Sequence, residues 1–83
     1  MKRIEWTTKA LRQLRRIKDR KAQGDIYDAV STLTSFPNID KVKKIKTTEL
    51  YRLKVGAWRV FFTESLKIVT IEEVKKRNER TYK

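Results

Sequence analysis

The stretch Leu50-Tyr51-Arg52-Leu53-Lys54-Val55-Gly56-Ala57-Trp58-Arg59-Val60-Phe61-Phe62 alternates apolar and basic residues with a period of two. In extended backbone successive side chains point to opposite faces, so Tyr51, Leu53 and Val55 share one face while Arg52 and Lys54 share the other. Gly56-Ala57 offers a two-residue connection with glycine first, the preference of a type II′ hairpin turn. The alternation then resumes, with Trp58, Val60 and Phe62 on one side and Arg59 and Phe61 on the other. Folding the hairpin returns Arg59 to the neighbourhood of Lys54 and Arg52. Like charges that face each other across a strand pair repel, so a solvent face furnished with cations predicts an anionic ligand. Arginine donors fixed around a phosphoryl group stabilise negative charge as it develops there, which makes phosphate chemistry a natural use for such a cluster.

Composition narrows the ligand. Twenty-two Lys and Arg against ten Asp and Glu give a formal net charge of +12 over 83 residues, more than solubility requires and a source of self-repulsion in the folded state. Nucleic acid is the first candidate partner because neutralising its phosphates releases counterions; an acidic membrane surface and an acidic protein follow. The sequence contains no cysteine and no histidine. That excludes disulfides, thiolate ligands and imidazole chemistry, so no metal or cofactor is expected, and a reducing cytoplasm is the expected compartment. The segment Met1-Lys2-Arg3-Ile4-Glu5-Trp6 is too polar for a signal peptide, and no apolar run approaches the roughly 18 residues of a membrane span. The length predicts a single domain over residues 1–83, one that buries roughly 60% of its unfolded surface.

The elements that must position the basic hairpin follow from periodicity. Lys2 to Trp6 reads as a short strand with Ile4 and Trp6 on one face. Thr7 and Thr8 are candidate N-caps for a helix whose apolar stripe is Ala10, Leu11, Leu14 and Ile17. Its outer face is basic, with Lys9, Arg12, Arg15 and Arg16 followed by Lys18, Arg20 and Lys21. That surface suits either solvent or a nucleic-acid backbone. Gly24-Asp25 reads as a break and a second N-cap, after which Ile26, Ala29, Val30 and Leu33 form another stripe that ends before Pro37. Lys41 to Lys46 reads as a lysine-rich edge strand, Thr47-Thr48-Glu49 as a turn, and Leu66 to Ile71 as a buried β-branched strand. The tail from Lys75 to Lys83 is basic, with Lys76, Arg77, Arg80 and Tyr82 as its candidate contacts. The order β-α-α-β-β-β-β predicts an α+β two-layer fold: an antiparallel twisted sheet of about four to five strands, with a two-helix hairpin packed on one face and a cationic face left open.

Tyr-Arg-Leu-Lys-Val-Gly-Ala-Trp-Arg-Val-Phe-Phe at 51–62 resembles the signature hairpin of the RelE/ParE superfamily of bacterial toxins, and the element order resembles that family over the whole chain. The resemblance implies the toxin of a toxin-antitoxin pair. In the RelE branch, that implies a ribosome-dependent endoribonuclease, an mRNA interferase that cuts message in the A site and inhibits translation; the ParE branch inhibits DNA gyrase on a similar scaffold. Carried over by position, the third-strand cations fall on Arg52 and Lys54, the fourth-strand arginine on Arg59, and the C-terminal pair on Arg77 and Tyr82. The chain departs from the family where relatives often carry a tail histidine or an Asp at the position of Ala57. The first departure removes an imidazole from proton transfer, and the second concerns turn geometry. The resemblance also implies a cognate antitoxin, which the charge predicts to be acidic and partly disordered before binding.

Metal-free RNA cleavage requires the ribose 2′-hydroxyl to lose a proton and attack the adjacent phosphorus, the phosphorane to be stabilised, and the 5′-oxygen to be protonated as it leaves. Arg59 is the candidate for stabilising the phosphorane. Lys54, crowded by Arg52, Arg59 and Arg77, is the candidate general base, because neighbouring cations disfavour the charged form of a lysine. Arg77 is assigned to the leaving group with Lys76 as an alternative donor, and Tyr82 to stacking on a base or donating its hydroxyl. The basic helix from Lys9 to Lys21, with Lys76 and Arg80, is expected to dock on ribosomal RNA. Two other readings use the same fold: a ParE-like gyrase inhibitor, which does not need the cationic cluster, and a non-catalytic RNA-binding module.

Overall fold

The computed structural model describes residues 1–39 and 42–76. In chain order they form β1 (Arg3–Trp6), α1 (Thr8–Arg15), α2 (Arg20–Ser31), a 3₁₀ turn (Thr32–Ser35), β2 (Val42–Lys44), β3 (Tyr51–Val55), β4 (Trp58–Glu64) and β5 (Ile68–Lys76). Thr7 caps α1, its side-chain oxygen accepting from the Ala10 N–H at 3.0 Å. Asp19 caps α2 in the same way, accepting from the N–H groups of Lys21 and Ala22.

The helix break therefore lies at residues 16–19 and not at Gly24-Asp25, both of which sit inside α2. The aspartate five residues before the expected break satisfies two otherwise orphaned donors, whereas glycine merely weakens a helix without having to end it. The basic run from Lys9 to Lys21 is consequently divided between two helices and their connector, which the buried Ile17 pins to the core.

Five strands form one sheet in the order β1-β5-β4-β3-β2. Strands β2 to β5 are antiparallel neighbours, as short connections demand. The outermost pair differs from the antiparallel expectation: β1 runs parallel to β5, from Arg3 opposite Ile68 to Trp6 opposite Ile71. No tight turn links these two strands, so the helical layer between them acts as the crossover that a parallel pair needs. The sheet is accordingly mixed.

Two strands differ in extent from their expected bounds. β2 is described only from Val42, Lys41 lying outside the described residues. β5 runs on to Lys76, well past Ile71. A register shift between β4 and β5 pairs Phe61 with Glu73 but Phe62 with Ile71, leaving Glu72 as the extra residue of a bulge. Strict alternation fails there, yet the bulge returns Val74 to the same buried side as Val69 and Ile71.

One apolar layer joins helices to sheet. Phe62, Ile26, Leu33, Ile71, Val30 and Val60 lead its fully buried side chains, and Phe36 and Tyr51 pack against Phe62 with ring centroids 5.5 and 5.4 Å away. α1 also lies along the outer part of β5 beyond the end of β1. There the Gln13 carbonyl accepts from the Val74 N–H at 2.7 Å and Lys9 pairs with Glu73 at 3.6 Å. A side-chain amide thus completes a backbone hydrogen bond that no strand supplies.

Gly24 gives a direct test of the helix boundary, since a Cβ built on it meets nothing within 4 Å. Gly24→Ala is expected to stabilise the protein by about 0.5–1 kcal/mol, read as a higher urea midpoint with unchanged slope. No gain, or a loss, would contradict a continuous helix through that position.

Candidate nucleic-acid interface

The β3–β4 hairpin closes through Gly56 at φ +57°, with Val55 opposite Trp58. A positive φ at the first turn residue is the backbone state glycine tolerates without strain, and it carries the twist that matches the flanking strands. From that turn the register fixes every neighbour. Lys54 faces Arg59, and Arg59 faces Lys75 on β5. The next row along the same face is Lys43, Arg52, Phe61 and Glu73. The helices cover the other face, where Leu53, Val60, Phe62 and Val74 are buried.

Arg52, Lys54 and Arg59 are therefore brought together on the open face, with Lys43 and Lys75 added at its flanks. Directly opposed side chains start from Cβ atoms about 4.5–5.5 Å apart, and the two rows are separated by one pleat repeat of about 6.6 Å. Lys54 and Lys75 are exposed, while Arg52 and Arg59 are half-buried. No charged residue among those described is buried. Glu73 is the acid within this cluster. Its carboxylate pairs with Lys75 at 3.2 Å and with Lys9 at 3.6 Å, which ties α1 to the margin of the face. Glu72, on the bulge, accepts from the Thr63 hydroxyl at 3.0 Å.

Other sequence candidates lie elsewhere. Lys76 is opposite Trp58, on the side of Val74, so continued alternation assigns it to the helix side and gives the place beside Arg59 to Lys75. Arg77, Arg80 and Tyr82 lie outside the described residues. Arg12, Arg15 and Arg16 are exposed on α1 and at its C-cap. Arg15 and Arg20 flank a groove of about 620 Å³ between the two helices, floored by Leu11, Leu14 and Gly24. Lys21 is drawn into an intrahelical pair with Asp25, whose hydrogen bond and charge hold it above the usual lysine range. The basic helix and the basic sheet face meet at β5, where Lys9 pairs with Glu73.

Lys43, Phe61, Glu73 and Lys75 were not singled out from sequence. Alternation put Phe61 beside the cations but assigned it no task, and the bulge concealed the phase of Glu73 and Lys75. Among the described residues no group of three or more acids could hold a metal ion, and no helix is long and apolar enough to cross a membrane.

A family model described as the ParE toxin of the type II toxin-antitoxin system parDE matches residues 4–81. The chain belongs to this family. The toxin is also similar in fold to three solved systems. Against the chromosomal ParDE toxin-antitoxin system of P. aeruginosa the TM-score is 0.79 at 21% identity, covering 94% of this chain and 98% of that one. The archaeal RelE-RelB complex from Pyrococcus horikoshii OT3 gives 0.78 at 20% identity, with 94% and 97% covered. The intact E. coli RelBE complex gives 0.76 at 16% identity, with 95% and 100% covered. No curated protein matches the toxin in sequence. The scaffold expected from the hairpin is therefore the RelE/ParE scaffold, and the toxin presents its cations on the face that the helices leave open.

Holding Lys54 against Arg59 has a cost that can be measured. Lys54→Glu converts a repulsive cross-strand pair into an attractive one and is expected to raise stability by about 0.2–1 kcal/mol in chemical denaturation at low salt. The gain should shrink as salt is added. A destabilised variant would mean that these two side chains do not face each other.

Proposed function

We propose that the toxin is an endoribonuclease that cuts mRNA held by the ribosome. The observation that supports this reading is the register itself: Lys54 opposite Arg59, with Arg52 one pleat away on the same face. In this reading a phosphodiester lies over the pair. Lys54 accepts the proton of the ribose 2′-hydroxyl as its oxygen bonds to phosphorus. The guanidinium of Arg59, assisted by Arg52, stabilises the charge on the phosphorane. The bond from phosphorus to the 5′-oxygen then breaks, that oxygen takes a proton, and the upstream fragment ends in a 2′,3′-cyclic phosphate. Lys75, opposite Arg59, replaces Lys76 as the nearby donor, and Arg77 and Tyr82 keep their sequence-based assignment to the leaving group and the base.

Lysine and arginine are weak proton-transfer groups, so the ribosome's contribution is to hold the message in line. Such positioning can be worth about 7–11 kcal/mol. The α1 surface, Arg12, Arg15 and Arg16, is available for docking on ribosomal RNA through its phosphates. The partner that restrains the toxin is a cognate antitoxin with an acidic segment. A groove of about 610 Å³ between α2 and β3, lined by Ala29, Ile39, Leu53 and Val55 together with the polar Asp25, Thr32 and Asn38, offers such a segment a seat beside Lys54. Complex formation should therefore weaken as ionic strength rises, through a slower association rate measured by stopped flow. A salt-independent rate would remove electrostatic steering from the account.

A gyrase inhibitor remains the second reading, favoured by the description of the matching family as ParE toxin. Induction in bacteria with mapping of mRNA 5′ ends separates the two. The nuclease predicts new ends within translated messages, few cuts in naked RNA, and loss of at least a hundredfold in cleavage for Arg59→Ala with a much smaller loss of RNA binding. DNA-damage signalling with translation intact would favour gyrase, and RNA binding without new ends would leave a plain binder.

A further inference from the structure

Phe61 is the aromatic residue that the described strands place on the open face; the other described strand aromatics, Trp6, Tyr51, Trp58 and Phe62, belong to the core side. It is half-buried, it stands opposite Arg52 on one side and Glu73 on the other, and it follows Arg59 by one pleat. The bulge in β5 sits beside it, a device that re-aims side chains near binding sites. A large apolar ring among cations contributes little to the core, which Phe62 already fills from the other side. Strand propensity would be served as well by a β-branched residue.

We propose that Phe61 is the platform on which a nucleobase of single-stranded RNA stacks while the neighbouring phosphate is held by Arg59 and Arg52. The ligand is thus a nucleotide bound by both its charge and its π face, the combination that single-strand binders use. The step from Arg59 to Phe61 is about one pleat repeat, 6.6 Å, which sets phosphate and base side by side along β4. Glu73 presents an acceptor next to the ring, suited to the amino edge of a base, and its ion pairs with Lys75 and Lys9 hold it in place. This inference rests on reading the open face as the RNA surface, but it does not require that the RNA be cut.

The test uses the full chain and a short labelled 2′-O-methyl RNA oligonucleotide, which keeps bases and phosphates but lacks the attacking hydroxyl, together with the same oligonucleotide carrying abasic positions. By fluorescence anisotropy, Phe61→Ile should bind the intact oligonucleotide roughly five- to hundredfold more weakly, while Phe61→Trp retains affinity. Abasic substitution should weaken the wild type but not add to the loss in Phe61→Ile, and the dependence on salt should be the same in both, because the phosphate contacts are kept. Equal affinity of Phe61→Ile and wild type, an abasic penalty of the same size in both, or no binding by the wild type would each overturn the platform. So would a Phe61→Ile defect confined to binding an antitoxin. Cleavage is scored separately: a wild type that binds through Phe61 but cuts nothing retains the platform and removes the nuclease, whereas undiminished binding and unchanged cut sites in Phe61→Ile retain the nuclease and remove the platform.

Discussion

The constraint on which the rest of this structure depends is the confinement of several positive charges to one side of a sheet whose strands are joined too tightly to let them separate. Lys54 and Arg59 are paired by a hairpin that closes only two residues away at Gly56, and Lys75 is brought to the other side of Arg59 by β5. Mutual repulsion works against this arrangement. It is opposed from beneath by an apolar layer in which Phe62, Val60, Leu53 and Val74 anchor the same strands. Alternation makes the two requirements inseparable, since each strand gives one face to the core and the other to the cations.

The helices serve this arrangement in two ways. They provide the apolar partner without which a sheet this small would not hold together, and α1 shields the exposed margin of β5 through Gln13 and Lys9. Because the helices occupy one face, Arg52 and Arg59 are reached from the other, while Lys54 also borders the groove between α2 and β3. Arg12, Arg15 and Arg16 are exposed on α1 and at its C-cap, whereas Lys9 reaches Glu73 at the margin of the open face, so the toxin carries a helical and a sheet basic surface that meet at β5. On the proposed function these would be the surface that handles message and the surface that meets the ribosome.

Much of this was legible in the sequence wherever periodicity was regular. The alternation of residues 50–62 located the hairpin, its turn and the common face of Arg52, Lys54 and Arg59, and the Thr7 cap with Ala10 and Leu14 located α1, although Ile17, the end of that stripe, lies in the connector. What escaped had specific physical causes. Asp19 was hidden within a basic run, so Gly24 was read as the boundary even though it lies in continuous helix. The bulge at Glu72 disrupted the period of two, so β5 was read as ending at Ile71 and the places of Glu73 and Lys75 could not be assigned. The direction of β1 was beyond local patterning, because its partner is remote along the chain. Phe61 was placed on the right face, but an aromatic side chain gives no sign of its task until its cross-strand neighbours are known.

That remote partnership bears on how the toxin folds. The strands β3, β4 and β5 pair through contacts close in sequence, whereas β1 docks on the distant residues 68–71. Lys2, which reaches the carbonyls of Ser65 and Leu66 and the carboxylate of Glu64, spans a similar separation. Contacts of such long range form late because loop closure precedes their reward. The β1–β5 seam is therefore expected to be the last part of the sheet to close when the protein refolds.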